Sequence, residues 1–267
     1  MTTHKFHYMS DLHIEFGMPK SMLFEGDNLI LAGDITCLRA LHPDKTDAGN
    51  RKLRDRTLTF FRTVQENFKR VFYVTGNHES YNFDVDLEAE YISTYLPGVI
   101  HLNDSAYDID DKTVIMGGTL WTDMDDDDSV SHYLVGRGMN DFRVIEKSGG
   151  RFSTVDAYNK HIATKNFLNK ALEANKDKNV IVVTHHAPSH KGINGEHVGS
   201  ALNAGYASNL EEFILDRPQI KYWVFGHTHI QKTFQIGDTT VVSNARGYEG
   251  YEKTAKTFKA DTWFELS

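Results

Sequence analysis

A chain of 267 residues, 40 % of them hydrophobic, carries enough apolar mass for a full core. A formal charge of −8 without a long Lys/Arg run argues against a nucleic-acid track or an acidic-membrane surface, and a single cysteine, Cys37, excludes an intrachain disulfide. No stretch nears the roughly 20 apolar residues that span a bilayer, and the N-terminal MTTHKFHYMSD has no apolar segment of the signal-peptide kind, so a cytoplasmic protein with no membrane partner is expected.

In chain order, the first apolar run, 4–9, reads as a buried strand that leads into Asp11-Leu12-His13. A second strand near 27–32 leads into Gly33-Asp34, and a helix is expected across 50–68. A strand at 71–75 precedes Gly76-Asn77-His78-Glu79, and a second helix is expected near 84–95. This βαβαβ order predicts parallel strands with covering helices. VIHL, AYDI and TVIMGG then read as short strands with turns between them. The segment 123–128 holds five carboxylates and reads as a solvated loop, with a flexible lid or a weak cation site as the sharper alternatives. A helix over 154–174 is capped by Ser153 with Asp156 three residues on, and carries Val155, Tyr158, Ile162, Leu168 and Leu172 on one stripe. The strand 179–184 delivers His185-His186. The turn-rich stretch 187–207 lacks periodicity and is expected to wrap over a site. A short helix at 208–215 and a strand at 221–225 precede Gly226-His227-Thr228-His229; a hairpin around Gly237-Asp238 and a closing strand end the chain. Neither a repeat nor a Ser/Pro-rich linker breaks the chain, so one domain over 1–267 is expected.

The five polar segments carry the chemistry. Taken singly they are weak. Asp-x-His and Gly-Asp are common in surface turns, and Asn77 in a Gly-led loop serves either a ligand or a left-handed backbone. In an extended segment Asp11 and His13 would point the same way. Gly-His-Thr-His after an apolar strand is the strongest piece. The joint pattern is far more specific: carboxylates, imidazoles and an amide, each delivered at a strand end, are what a two-metal hydrolytic site needs. The nearest lookalike fails, because His78-Glu79 begins H-E-x-x-H but position 82 is Asn82. Cys37 has no partner for a Cys-rich zinc site and reads as a small buried thiol.

The series D-x-H, G-D, G-N-H-E, a His after a strand, and G-H-x-H, spanning residues 11 to 229, resembles the calcineurin-like metallophosphoesterases. That resemblance implies an α/β fold, a four-layered α/β/β/α sandwich of two packed mixed β-sheets flanked by helices. It implies two divalent metal ions (manganese, iron or zinc) with a bridging hydroxide. One ion would take Asp11, His13, Asp34 and His229; the other would take Asp34, Asn77, His185 and His227, with Asp34 shared. His78 would be the catalytic residue beside the substrate, donating a proton or stabilising charge. Only one of His185 and His186 should be a ligand. His185 is preferred because it directly ends the strand, which leaves His186 to substrate or to a supporting position.

The substrate is less legible. Arg143 and Arg246 are candidates for holding phosphate oxygens, against the alternative of structural ion pairing, and Asn244 is a further substrate-binding candidate. Tyr206 shares their loop placement, and Trp121, Tyr248 and Tyr251 are candidates for stacking a base. The expected activity is metal-dependent hydrolysis of a small phosphomonoester, phosphodiester or nucleotide. A nuclease acting on polynucleotide is the alternative, disfavoured by the acidic charge. A protein phosphatase is less consistent still, because the G-D-x-V-D-R-G of that branch reads Gly33-Asp34-Ile35-Thr36-Cys37-Leu38-Arg39 here. A non-catalytic scaffold would be expected to have lost ligands, and this chain retains them.

Overall fold

Strand residues alternate between two apolar environments, and that alternation defines the layers. The computed structural model describes residues 3–19 and 24–267. In β1 (His4–Met9), Phe6 and Tyr8 face one core while Met9 faces another; in β2 (Gly26–Ala32), Ile30 and Ala32 oppose Leu29 and Leu31. β3 (Phe68–Val74) repeats the pattern with Phe72 and Val74 against Val71 and Tyr73. Both faces of each strand are therefore buried, and the sequence shows near-continuous apolar runs rather than polar alternation.

The first sheet continues through β4 (Ile100–His101). β5 (Ser105–Asp108) and β6 (Thr113–Gly118) belong to the second sheet, and β7 (Glu146–Lys147) and β8 (Gly150–Arg151) form a small hairpin. β9 (Asn179–Thr184), β10 (Ile220–Val224), β11 (Gln231–Ile236) and β12 (Thr239–Asn244) complete the second sheet, and β13 (Trp263–Leu266) returns to the first. The orders are β13-β1-β2-β3-β4 and β11-β12-β10-β9-β6-β5. Both sheets have parallel centres; both edges of the second are antiparallel, whereas the first is antiparallel only at β13 and parallel at its β4 edge.

Phe6, Ile30 and Phe72 meet Ile115, Ile181 and Val224 between the sheets. The outer face of the first sheet packs on helix Ala48–Asn67 through Leu53, Phe60, Phe61 and Val64. The outer face of the second packs on helix Thr154–Ala174 through Leu168 and Leu172. Each fully buried side chain of this size contributes about 1.5–3 kcal/mol relative to exposure. The architecture is thus two mixed sheets flanked by helices, as expected. Among the described residues, no helix is long and apolar enough to cross a membrane.

Several local expectations need correction. The buried stripe of helix Thr154–Ala174 is Ala157, His161, Thr164, Leu168 and Leu172, while Val155 is exposed at 57 %. The Ser153–Asp156 capping box forms as expected and sets the register of that stripe. The 84–95 helix splits into a tight turn, Val85–Leu87, and a helix, Glu88–Tyr95. The 208–215 helix is confined to Glu211–Leu215. The acidic segment is solvated from Asp125 to Asp128, and Asp128 caps helix Ser129–Gly138 through Ser131 N at 2.7 Å.

Candidate metal centre

All five polar segments leave the C-terminal ends of β1, β2, β3, β9 and β10, the rim where open α/β sheets place their sites. The first three belong to one sheet and the last two to the other, so the cluster straddles the seam. Cross-sheet bonds hold it there: the His185 Nδ1–H donates to Ala32 O at 2.9 Å, and His227 N donates to Asp11 Oδ1 at 2.9 Å.

The convergence of Asp11 and His13 does not come from an extended segment. Both have positive φ, 52° and 44°, and so do Asp34 (54°), His227 (68°) and His229 (48°). Non-glycine residues avoid that region, so five such residues at one spot mark a backbone held against its preference. Asn77 has φ −75° and ψ −33°, which rules out a left-handed backbone as the reason for an amide there. Gly33 and Gly76 admit the ring of His185: a Cβ on either would collide with it, and Gly33 itself has φ +85°.

Two compact donor groups result from the motif ligands, and a third, His13, Glu15 and His78, lies beside them. Asp11, His13, Asp34 and His229 bring one ligand atom each within 4.8 Å of one another, as do Asp34, His185 and His227. His13 Nε2 lies 3.0 Å from His229 Nε2, and His229 Nε2 lies 3.5 Å from Asp11 Oδ1. His185 Nε2 lies 3.3 Å from Asp34 Oδ1 and 3.1 Å from Asn77 Oδ1.

The far side of each ring fixes its tautomer. His13 Nδ1 lies 3.1 Å from Glu15 Oε1, and His229 Nδ1 contacts both oxygens of Glu252 at 2.9 and 2.8 Å. With Nδ1–H donated in each case, the two Nε2 atoms face each other as lone pairs. His185 is fixed the same way by Ala32 O, so its Nε2 also meets acceptors only. His227 Nε2–H points to Gly205 O at 3.3 Å, leaving Nδ1 as its acceptor. Asn77 Nδ2 donates to Asp141 Oδ1 at 2.8 Å, which turns its carbonyl oxygen towards His185. In the neutral tautomers these lone pairs converge and repel unless a proton or a cation sits between them; against burial, the Asp34 charge raises the His185 pKa to about 9. This donor set therefore fits divalent metals, with each imidazole backed by a carboxylate or carbonyl.

Electrostatics follow the same geometry. Burial works against ionising Asp34, yet His185, His78 and His13 hold its carboxyl well below the usual range. Burial also opposes ionising Glu15, but its bonds to His13 and His78 take it down to about 2. Burial, then His186 and His185, keeps His227 neutral. Burial and the neighbouring His185 push His186 down to about 3.

His78 sits beside the cluster. Its N–H donates to Asp34 Oδ1 at 2.8 Å, its Nδ1 lies 3.1 Å from Glu15 Oε1, and its Nε2 lies 3.2 Å from the Tyr248 hydroxyl. The ring stacks on Tyr81 with centroids 4.0 Å apart. Burial lowers its pKa, but the Asp34 charge foremost outweighs this and raises it well above normal. His78 lines a cavity of about 430 Å³ that also opens onto Asp34, Asn77, His227 and His229.

The substrate candidates are placed less favourably. Arg143 is exposed and donates to Arg137 O. Arg246 is buried and donates to Leu12 O at 2.8 Å and Gly17 O at 2.6 Å, bracing the first motif from behind. Asn244 donates to Tyr8 O and Lys259 O, both at 3.0 Å. None of the three lines the cavity. His186 is buried against Trp121 and His227, with Nδ1 3.2 Å from Thr119 O, and lies outside both donor groups. Tyr206 and Tyr248 do line the cavity; Tyr251 is 86 % exposed and Trp121 is buried.

Sequence reasoning missed the carboxylates behind the ligands. Glu15, two residues after His13, was open to detection by spacing. The sequence places Glu79 in G-N-H-E and in a failed zinc motif but gives it no role. It accepts from Asp34 N (2.9 Å), Ile35 N (2.7 Å), Gly76 N (2.7 Å) and the Tyr73 hydroxyl (2.6 Å), tying the second motif to the third. Burial and the Asp34 charge raise its pKa to about 7. Asp141 and Glu252 carry no local signal, since only the tertiary fold brings them to Asn77 and His229.

Comparison with known proteins agrees with this geometry. A curated relative, "Uncharacterized protein L509" of Acanthamoeba polyphaga mimivirus, is 29 % identical over 208 residues, 71 % of this chain and 72 % of that protein. The crystal structure of phosphopantetheinyl hydrolase from Mycobacterium tuberculosis superposes with a TM-score of 0.70 at 15 % identity, covering 98 % of this chain and 95 % of that one. GAP50, the anchor in the inner membrane complex of Plasmodium, superposes with a TM-score of 0.50 at 13 % identity, covering 100 % and 79 %. These superpositions establish a shared fold, and a hydrolase and an anchor both carry it. The family model of the calcineurin-like phosphoesterases matches residues 4–231, from the first strand to just past the last histidine motif, and the chain belongs to that family of metal-dependent phosphoesterases.

Proposed function

We propose that this chain hydrolyses a small phosphoester at a dinuclear centre. One ion would be held by Asp11, His13, Asp34 and His229 and the other by Asp34, Asn77, His185 and His227, with manganese, iron or zinc suited to the mixed oxygen and nitrogen donors. The observation that carries this reading is the 3.0 Å approach of two imidazole Nε2 atoms whose Nδ1 atoms are both committed to carboxylates. When bound, such a pair would supply an acidified water as nucleophile and neutralise phosphoryl charge.

The chain's own residues do the rest. Asp34, shared between the ions, lowers their mutual repulsion. Asp141 orients the Asn77 amide, and Glu15 and Glu252 hold the His13 and His229 rings. His78, at the cavity wall with the Asp34 charge outweighing burial to raise its pKa, is placed to stabilise or protonate the leaving oxygen. Elemental analysis and turnover of nitrophenyl phosphate and bis-nitrophenyl phosphate test the reading together. Two equivalents of metal and metal-dependent release of nitrophenolate are expected; at most one equivalent under saturating manganese or zinc would sink it.

A further inference from the structure

His78 faces the cavity with both ring nitrogens already engaged. Nδ1 lies 3.1 Å from Glu15 Oε1, and Nε2 lies 3.2 Å from the Tyr248 hydroxyl. The rest of the ring is fixed by its neighbours: Tyr81 stacks on it with centroids 4.0 Å apart, and His13 meets it edge-on at 4.4 Å. The atom that receives a proton from Nε2 in this geometry is therefore the phenolic oxygen of Tyr248, which itself lines the cavity.

Tyr248 is held at that point by its own loop. Arg246 N donates to Ser10 O at 3.1 Å and Gly247 N to Asp11 O at 3.0 Å, so the loop after β12 is stapled to the backbone of the first motif. The Tyr248 carbonyl receives Glu252 N at 3.1 Å and Tyr251 N at 3.2 Å. Gly247 has φ +73°, and a Cβ there would collide with the Glu252 carboxylate that backs His229. The Tyr248 ring packs against His13, His229 and Phe16, with centroids 4.5, 4.7 and 5.3 Å away. The other two tyrosines on the cavity wall are differently occupied. Tyr81 donates its hydroxyl to Asp141 Oδ1 at 2.7 Å, and Tyr206 stacks on His227 at 4.7 Å.

We infer that Tyr248 is a catalytic residue: its hydroxyl meets the leaving oxygen, and His78 stands behind it as the source of the proton. As the phosphorus–oxygen bond breaks, its electron pair stays on the leaving oxygen. The phenolic proton passes to that oxygen, and the Nε2 proton of His78 passes to the phenol. Tyr248 starts and ends protonated, and only His78 gives up a proton. This inference rests on the hydrolytic reading above and adds the group that touches the substrate. Tyr248 lies past residues 4–231, the stretch matched by the family model.

Tyr248→Phe keeps the ring and removes the hydroxyl. Turnover of an alkyl phosphate ester should fall by about 10²-fold, and the loss on the matching nitrophenyl ester should be at least about tenfold smaller, because nitrophenolate leaves without a proton. Elemental analysis should find the same metal content in variant and wild type, and circular dichroism the same fold. In His78→Ala the phenol has lost its proton source, so adding Tyr248→Phe should cost little beyond His78→Ala alone. Wild-type turnover of the alkyl ester by Tyr248→Phe would overturn the inference, because His78 would then act directly. Equal losses on the two esters, a lost equivalent of metal, or losses that multiply in the double variant would overturn it as well. The wild type separates the two claims. If it hydrolyses neither ester, the hydrolytic reading falls and takes the inference with it, whereas full wild-type turnover with an unaffected Tyr248→Phe removes the Tyr248 assignment alone.

Discussion

The carboxylate behind His229 offers a graded test of the metal centre. Glu252 receives the His229 Nδ1–H on both oxygens, at 2.9 and 2.8 Å, and its side chain is 31 % exposed. Solvent therefore screens part of its charge, and much of its effect is orientation: it keeps the ring turned so that Nε2 faces Asp11 and His13. Glu252→Gln retains an acceptor but removes the charge, and about a tenfold loss in metal affinity is expected, about 1.4 kcal/mol. Glu252→Ala removes both, and the loss should approach 100-fold, the upper end for a group supporting a metal-bound imidazole. Only one of the two ions involves His229, so the loss should fall on one equivalent. Competition against a chromophoric chelator, with zinc or manganese, resolves the two binding steps, and circular dichroism checks the fold. Wild-type affinity at both steps in Glu252→Ala, or equal weakening of both, would refute the reasoning.

Asp34→Asn should weaken both binding steps together, because the residue belongs to both donor groups; elemental analysis of wild type and variant reads this directly. His78→Ala should keep both metals and lower turnover by about 10²–10⁴-fold. The loss should be smaller for nitrophenyl esters than for alkyl esters, and equal losses would remove the proton-donor role. Glu88 is buried, accepts Thr75 Oγ1 at 2.8 Å, and has its pKa raised by burial to about 7. A raised carboxyl contributes its full stability below the unfolded pKa of about 4.5 and loses it as pH rises through about 7. Glu88→Gln should therefore gain stability relative to wild type over that window, by about 1–3 kcal/mol. Urea unfolding at pH 5 and pH 8 measures the gain, and a pH-independent difference would contradict it.

The sheets and the clustering of the polar segments at their ends were legible in the sequence for a common reason. Strands buried on both faces give continuous apolar runs, and those runs end abruptly at polar residues. Residues such as Leu29 and Ile30 mark the strand, and Gly33-Asp34 marks its end. The helix at 154–174 was legible from its cap, but only the C-terminal half of its buried stripe, Leu168 and Leu172, was. His161 and Thr164 are polar residues on the inner face, and Val155 is an apolar one outside it. The supporting groups were hidden for another reason. Glu252 lies 23 residues from His229, and Asp141 lies 64 from Asn77. No local pattern encodes such pairs. Of the guanidinium candidates, Arg143 is exposed and turned to Arg137 O, and Arg246 is drawn from the cavity by rim carbonyls that need donors. Arg246 meets that need at Leu12 and Gly17.

The seam location of the cluster has a consequence for how the protein matures. During synthesis, the chain through β3 presents Asp11, His13, Asp34 and Asn77, which are four oxygen- or nitrogen-bearing groups from one sheet. The remaining three imidazoles arrive with β9 and β10, more than a hundred residues later, and reach the first group only once the second sheet has docked. On the proposed assignment a nascent chain would hold neither ion's full ligand set, and loading of both ions would await docking of the second sheet.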